Sequence, residues 1–467
     1  MRSKVLSRGF TRLLNRQVED GGAFTVSVDP SHSPIRHHKE QNDFENHFKA
    51  FQRKSSWEIS RSLAILLLCG CNKFVDNSEQ LMAYSQKILG RKAFRSIIKP
   101  TFYSQFVGGE TPEEIKSCIE KLRKAGVQPL LACTLEDDCG GRKEDVYDRN
   151  VERILDSMKM TLNTKIKIPM TQLKLTGLLS ADLLITISNI FTASSRKEQL
   201  IESIANCMTR GSMKDFQCDK ITSQQKDKLE SGVKRLREIA EIAKEKNVKL
   251  LIDAEYTYLN PGLSLLALAM MLCYNASTPL VWNTYQCYLK KTWENLKMEM
   301  NIANKFGACF GAKVVRGAYI TRETDYALQK GLPYPICDSY ELTSKNYNNI
   351  LNYLLQHISN VGPRCNIIIA SHNEESIKFA IKKMNQLAID KQTGGVYFGQ
   401  LYGMCDQITY PLASMGYLVY KSVPYGTVEE VLPYLARRAT ENRSVLLGAR
   451  KERELLWQHL KFRVLGN

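Results

Sequence analysis

Between residues 43 and 125, apolar positions recur at three- and four-residue intervals, the period of helices that pack by one face. The clearest of them lies in "TPEEIKSCIEKLRKAGV". Thr111 is placed to cap it, Pro112 sits in its first turn, Glu114 stands where a capping box needs it, and Gly126 ends it. After Gly126 the rhythm changes. Short apolar runs alternate with helical stretches: "VQPLLACTL", "IKIPMTQLKL", "VKLLIDAE", "LVWNTYQ", "AKVVRGAY", "NIIIASHN", "VYFGQLYG" and "GYLVYKSVPYG". Near-continuous apolar runs are what parallel strands covered on both faces look like. Eight strand–helix units predict an α/β chain folded as a (β/α)8 TIM barrel with an N-terminal helical region, a doubly wound sheet being the other arrangement with this rhythm. The expected boundaries are a presequence and linker over 1–42, helices over 43–125, and the barrel over 126–467 with a helical insertion at 181–247.

Polar residues cluster at the C-terminal ends of these runs: Lys174, Asp253, Asn283, Arg316 and Tyr319, His372 and Asn373, Gln400, Ser422 and Tyr425. Each alone reads as a structural polar group. Seven of eight strand ends carrying one points to the rim where this fold builds its active sites. Close to the C-terminus, "YLARRATENR" puts Tyr434, Arg437, Arg438 and Glu441 on one helical face. Alone it reads as a salt-bridged surface helix. Facing a rim that carries Lys174, two guanidinium forks make a seat for a carboxylate or phosphate.

Composition narrows the choices. The chain has 467 residues, 43% apolar and 24% charged, an ordinary globular balance with a net charge of +17. Nucleic acid, an anionic membrane surface or an anionic ligand would each suit that charge, but the excess is spread along the chain, and nucleic acid is not among the expected partners. "MRSKVLSRGFTRLLNRQ" mixes Arg2, Lys4, Arg8, Arg12 and Arg16 with Leu6, Phe10, Leu13 and Leu14 and has no acid, the composition of a mitochondrial presequence or of a basic, frayed terminus. The most apolar run, "LAILLLCGC", is nine residues, about half of what a span requires. Thirteen cysteines without a Cys-x-x-Cys pair suit reduced thiols. "DFQCDKITSQQKD" lacks the Gly and Glu of a calcium loop, and no metal is expected. No Gly-x-Gly-x-x-Gly, P-loop, Gly-x-Ser-x-Gly or His-Glu-x-x-His sequence occurs, which disfavours the common nucleotide folds and hydrolases.

"DAE", "RGAY", "ASHN", "FGQLYGM", "VPYG" and "YLARRATENR", in that order over about residues 110–460, resemble the proline dehydrogenase family. That resemblance implies a distorted (β/α)8 barrel holding FAD without a Rossmann fingerprint, an imino-acid substrate (hydroxyproline or proline), and a quinone acceptor reached through peripheral contact with the mitochondrial inner membrane. It implies that Lys174, Arg437 and Arg438 hold the substrate carboxylate, that Tyr319, Leu401 and Tyr434 wall the ring, and that Asp253 orients Lys174. Toward the flavin it implies Lys313, Val315, Gly317 and Ala318 along the isoalloxazine, Asn283 at its edge, His372 and Asn373 further out, and Glu441 at ribityl or ribose hydroxyls. Lys313 and Ile320 stand where bacterial members carry Arg and Trp. Ser422 stands where proline-preferring members carry a Tyr against the far edge of the ring. The smaller hydroxyl opens room for a group on ring carbon 4, which is similar to the members that oxidise hydroxyproline, and is also compatible with a pocket that still prefers proline.

Overall fold

Ser55 opens the first long helix, α1 (Ser56–Cys69), with a full capping box: its hydroxyl accepts from the Glu58 N–H and its own N–H donates to the Glu58 carboxylate. The computed structural model describes residues 48–70, 77–133, 144–164, 166–214, 216, 218, 220–441 and 450–465. The expected presequence and linker, 1–42, lie outside them. Helix α2 (Ser78–Ile98) is broken at Gly90, whose φ of 73° is non-helical. Helix α3 (Pro112–Lys124) starts as expected with the Thr111 hydroxyl accepting from Glu114 N–H, but Glu114 reaches past Thr111 to the N–H of Glu110.

Eight parallel strands follow: β1 (Gln128–Cys133), β2 (Met170–Leu173), β3 (Lys249–Ile252), β4 (Val281–Gln286), β5 (Phe310–Val315), β6 (Cys365–Ala370), β7 (Val396–Leu401) and β8 (Val419–Tyr425). Their order is β1-β8-β7-β6-β5-β4-β3-β2, so the ladder runs round the barrel and its two ends, β1 and β2, close side by side. This is the (β/α)8 arrangement, and each strand overlaps one of the eight apolar runs, β5 starting two residues and β6 one residue before the run read for it. The seam between β1 and β2 makes the barrel a distorted one.

The intervening helices are α4 (Glu144–Leu162), α5 (Ala181–Ala193), α6 (Lys197–Arg210), α7 (Ser223–Lys246), α8 (Asn260–Tyr274), α9 (Thr292–Lys305), α10 (Ile320–Lys330), α11 (Tyr340–Val361), α12 (Glu374–Gln386) and α13 (Asp406–Ser414). Then come α14 (Val428–Glu441) and α15 (Arg450–Leu465). Within 181–247, α7 leads directly into β3 as a crossover helix, while α5 and α6 pack on α8.

The lumen is filled by Leu130, Met170, Leu251, Trp282, Ile368, Tyr397 and Tyr420, one from each strand except β5. There Gly311 takes the inward place. A Cβ on it would lie 2.4 Å from the Trp282 indole, so its missing side chain is what admits the largest residue of the core.

Candidate active site

Side chains alternate across a strand, so the lumen residues fix which positions look inward higher up. Two residues on from each stand Ala132, Gln172, Asp253, Thr284, Lys313, Ala370, Gly399 and Ser422. Two further on stand Lys174, Glu255, Gln286, Val315, His372, Leu401 and Pro424. An apolar floor therefore gives way to polar inward positions on β2, β3, β4, β5, β6 and β8, while β7 stays apolar through Gly399 and Leu401. The contacts across the lumen agree: Lys313 Nζ lies 2.5 Å from Asp253 Oδ1, and Gln172 Nε2 lies 3.4 Å from Ser422 Oγ.

Lys174 follows β2 directly, is half-buried, and heads the short turn Leu175–Gly177. Asp253 gives one carboxylate oxygen to Lys313, so the aspartate expected to orient Lys174 also neutralises the lysine of β5. Tyr319 is buried, with its ring 4.7 Å from that of Tyr256. Tyr434 on α14 and Leu401 at the end of β7 pack against the same apolar cluster, so two of the three expected ring walls meet one surface. Helix α14 runs through Arg437, Arg438 and Glu441, whose side chains lie outside the described residues.

The loop after β7 is clamped from several sides. Leu401 N–H donates to His372 Nε2 at 2.9 Å, and Lys421 Nζ donates to Leu401 O at 3.1 Å and to Met404 O. Lys421, only 1% exposed, pairs with Asp406 at 2.9 Å, and Lys54 pairs with the same carboxylate at 2.5 Å. Glu452 of α15, also buried, accepts from the N–H groups of Cys405 and Asp406. Burial alone would raise the Asp406 carboxyl; Lys421 and Lys54 overcome it and hold it well below the usual range. Burial, followed by the repulsion of Asp406, raises Glu452. Burial, helped by the Lys421 ammonium, pushes His372 down to about 3, so the ring is neutral at physiological pH.

Asn283 requires a correction. It stands one position out of phase with Trp282 and faces outward, where its amide donates to Ser264 Oγ and Glu299 Oε2, and Tyr285 OH donates to the same carboxylate at 2.6 Å. The inward positions of β4 are Thr284 and Gln286. Gln286 Nε2 donates to Glu255 O, and its carbonyl accepts from Asn260. Counting by twos from Trp282 would have found it. Asn373 is the N-cap of α12, accepting from Ser376 N–H and donating to Tyr340 OH. Val315 ends β5 and accepts from Cys287 N–H; Gly317 lies so close to Tyr288 that a Cβ there would sit 2.5 Å from the ring; Ala318 is half-buried beside them.

The residues fit a flavin on one polar observation and one of charge. Because His372 Nε2 accepts, the neutral ring carries its proton on Nδ1, and among the described residues that buried N–H has no acceptor. An unmet buried donor costs roughly 1–3 kcal/mol, and a ligand rich in acceptors relieves it. Arg316, held by Ser344 and Ser376 between the rings of Tyr340 and Tyr347, adds a cation beyond Lys313 with its Nε unmet among the described residues.

Comparison with known proteins agrees with this geometry. Residues 116–450 match the proline dehydrogenase family. The chain is 44% identical to the hydroxyproline dehydrogenase of Xenopus laevis over 89% of both chains, and 40% identical to that of Homo sapiens over 89% of this chain and 92% of the relative. It is 30% identical to human proline dehydrogenase 1, mitochondrial, over 94% of this chain and 91% of that one. The crystal structure of proline utilization A from Bdellovibrio bacteriovorus superposes with a TM-score of 0.62 at 20% identity, covering 91% of this chain and 43% of that longer protein. An eight-stranded parallel barrel, a rim of cations and carboxylates at its C-terminal end, and relatives matched over nearly their whole length agree: this chain belongs to the proline dehydrogenase family of oxidoreductases.

Proposed function

We propose that this enzyme uses FAD to oxidise trans-4-hydroxy-L-proline to 1-pyrroline-3-hydroxy-5-carboxylate. The observation that carries the reading is Ser422: inward-facing, half-buried and polar, in the register row that joins Leu130 of β1 to Leu401 of β7. A hydroxyl there gives a ring hydroxyl both a partner and the volume that a phenol would fill. The relatives at 40–44% identity carry the name hydroxyproline dehydrogenase, which supports the same substrate.

Lys174, with Arg437 and Arg438 from α14, binds the substrate carboxylate, and Tyr319, Leu401 and Tyr434 hold the ring in one orientation. FAD, when bound, supplies the hydride acceptor. Lys313 and Val315 of β5 and Gly317 and Ala318 just after it would line its ring, with His372, Asn373 and Glu441 at its more distant groups, and Gln286 would take the place first expected of Asn283. The substrate amine must be neutral to release hydride, and the cationic rim favours that form, so turnover rises with pH through the amine's titration. Electrons then pass to a quinone at the mitochondrial inner membrane. Among the described residues no helix is long and apolar enough to cross a membrane. Peripheral contact is supported by α2, which exposes Leu81, Tyr84 and Ile88 on one face beside Lys87, Arg91 and Lys92.

The test is the visible spectrum of the pure protein. A flavin band that bleaches on anaerobic addition of hydroxyproline, with a higher kcat/KM for hydroxyproline than for proline, is expected. A colourless protein that takes up no FAD overturns the chemistry, and a clear preference for proline overturns the substrate.

A further inference from the structure

Gln172 is a polar side chain at an inward position directly above Met170, which is wholly buried in the apolar floor of the lumen. A carboxamide in such a place costs free energy unless its donors and acceptor are met. Among the described residues its side chain makes one hydrogen bond, the Nε2 contact to Ser422 Oγ, and at 3.4 Å that bond lies at the long, weak end of the range. Strand β1 separates the two residues; Leu130 is the register partner of Ser422, and among the described residues the inward position above it is the small Ala132. Both residues are half-buried, so their unused hydrogen-bonding capacity faces the lumen.

We propose that Gln172 is a specificity-determining residue that, together with Ser422, forms a two-point seat for a hydroxyl on the substrate ring. The reasoning rests on the hydroxy-imino-acid reading above and follows from the inventory of donors. When Gln172 Nε2 donates to Ser422 Oγ, the serine proton is turned away from the amide and toward the lumen, and Gln172 Oε1 remains an acceptor. A ring hydroxyl accepts from the first and donates to the second. An unsubstituted ring presents a methylene to the same place and leaves both groups dry and unpaired, so the pair rejects proline as well as attracting its hydroxylated form. Ser422 alone supplies one group whose rotor is free; the amide fixes it.

The experiment compares kcat/KM for trans-4-hydroxy-L-proline and L-proline, with a soluble dye as acceptor, in the wild type, Gln172→Met, Ser422→Ala and the double variant. Because both substrates are read in one enzyme, loss of folded or flavin-loaded protein cancels from the ratio. We expect Gln172→Met to lower the hydroxyproline-to-proline ratio about tenfold, chiefly through KM for hydroxyproline, and to have a much smaller effect once Ser422 is Ala. If the Met variant cannot be recovered, Gln172→Asn, one carbon too short to span to Ser422, is expected to show the same loss. A wild type that prefers hydroxyproline combined with an unchanged ratio in the Gln172 variant overturns this inference alone. A wild type that prefers proline overturns the substrate reading and this inference with it.

Discussion

Lys313 faces Asp253 across the lumen, and the pair is largely sheltered, with 13% and 22% of the two side chains exposed. Such a lysine is held in one direction while leaving donors for a second acceptor. In the proposed reaction that acceptor is the flavin edge where negative charge gathers, so Lys313→Met is expected to make the flavin potential more negative and to slow its reduction by about 10- to 100-fold. Anaerobic stopped-flow with hydroxyproline and a redox titration read the two effects; unchanged values in a variant that retains its flavin would remove Lys313 from the site. At this scale the sequence was legible wherever parity could be counted. Lys174, Asp253, Lys313, Leu401 and Ser422 all fall in phase with the lumen residues of their strands. Asn283 is polar and near a strand end, which suggests the rim, but it is one position out of phase, and its real partners, Ser264 and Glu299, lie on helices that no local pattern links to it.

Between residue and molecule, the loop from β7 into α13 is the element on which the site depends. Gly403 adopts φ 77° and passes so close to Gln105 that a Cβ would overlap its carbonyl oxygen, while Gln105 Nε2 donates back to Gly403 O at 2.6 Å. Asp406, beneath the loop, binds Lys421 of the barrel and Lys54 of the N-terminal helical region. Removing one charge from such a cluster strands the others, so Asp406→Asn is expected to cost about 3–5 kcal/mol at neutral pH. The unfolded carboxyl takes up its proton near pH 3.9, roughly, whereas the folded one stays ionised to lower pH. The folded state therefore binds fewer protons there, and the wild type's advantage over the variant is present above about pH 4 and shrinks as pH falls below it. Denaturant titrations of both proteins at pH 7, 5 and 3.5 check this, and an advantage that is the same at all three would exclude an ionised Asp406 as its source. None of this was legible in sequence. Lys421 is out of phase with Tyr420 and Ser422 and so reads as an outward position, where an apolar residue is expected. Its buried charge makes sense only beside Asp406 and the carbonyls of Leu401 and Met404, which the loop after β7 folds back onto it, and beside Lys54, which shares that carboxylate from the far end of the chain.

The distribution of exposed apolar side chains over the whole molecule is uneven. Helix α2 alone shows Leu81, Tyr84, Ile88, Leu89 and Ile97, with Tyr84 64% and Ile88 80% exposed, and α15 adds Trp457, Phe462, Val464 and Leu465. Leu81, Tyr84 and Ile88 recur at helical spacing on one face; Lys87, Arg91 and Lys92 are exposed next to them, and the sequence of α2 holds one acid, Glu79. Apolar residues ringed by cations suit a surface that is apolar beneath and anionic on top, each cation near it contributing about 1 kcal/mol. The break at Gly90 lets the two halves of α2 lie at different angles to such a surface. We therefore expect the protein to float with vesicles rich in anionic lipid and not with neutral ones, to be released by high salt, and to lose most of its binding in the double variant Tyr84→Ser, Ile88→Asp. Turnover with a water-soluble dye reports folding in the same sample, while turnover with a long-chain quinone in vesicles should fall in step with binding. If the double variant still floats as the wild type does, α2 is not the contact. If it floats less but reduces the vesicle quinone at an undiminished rate, the contact exists and electrons leave the barrel without it.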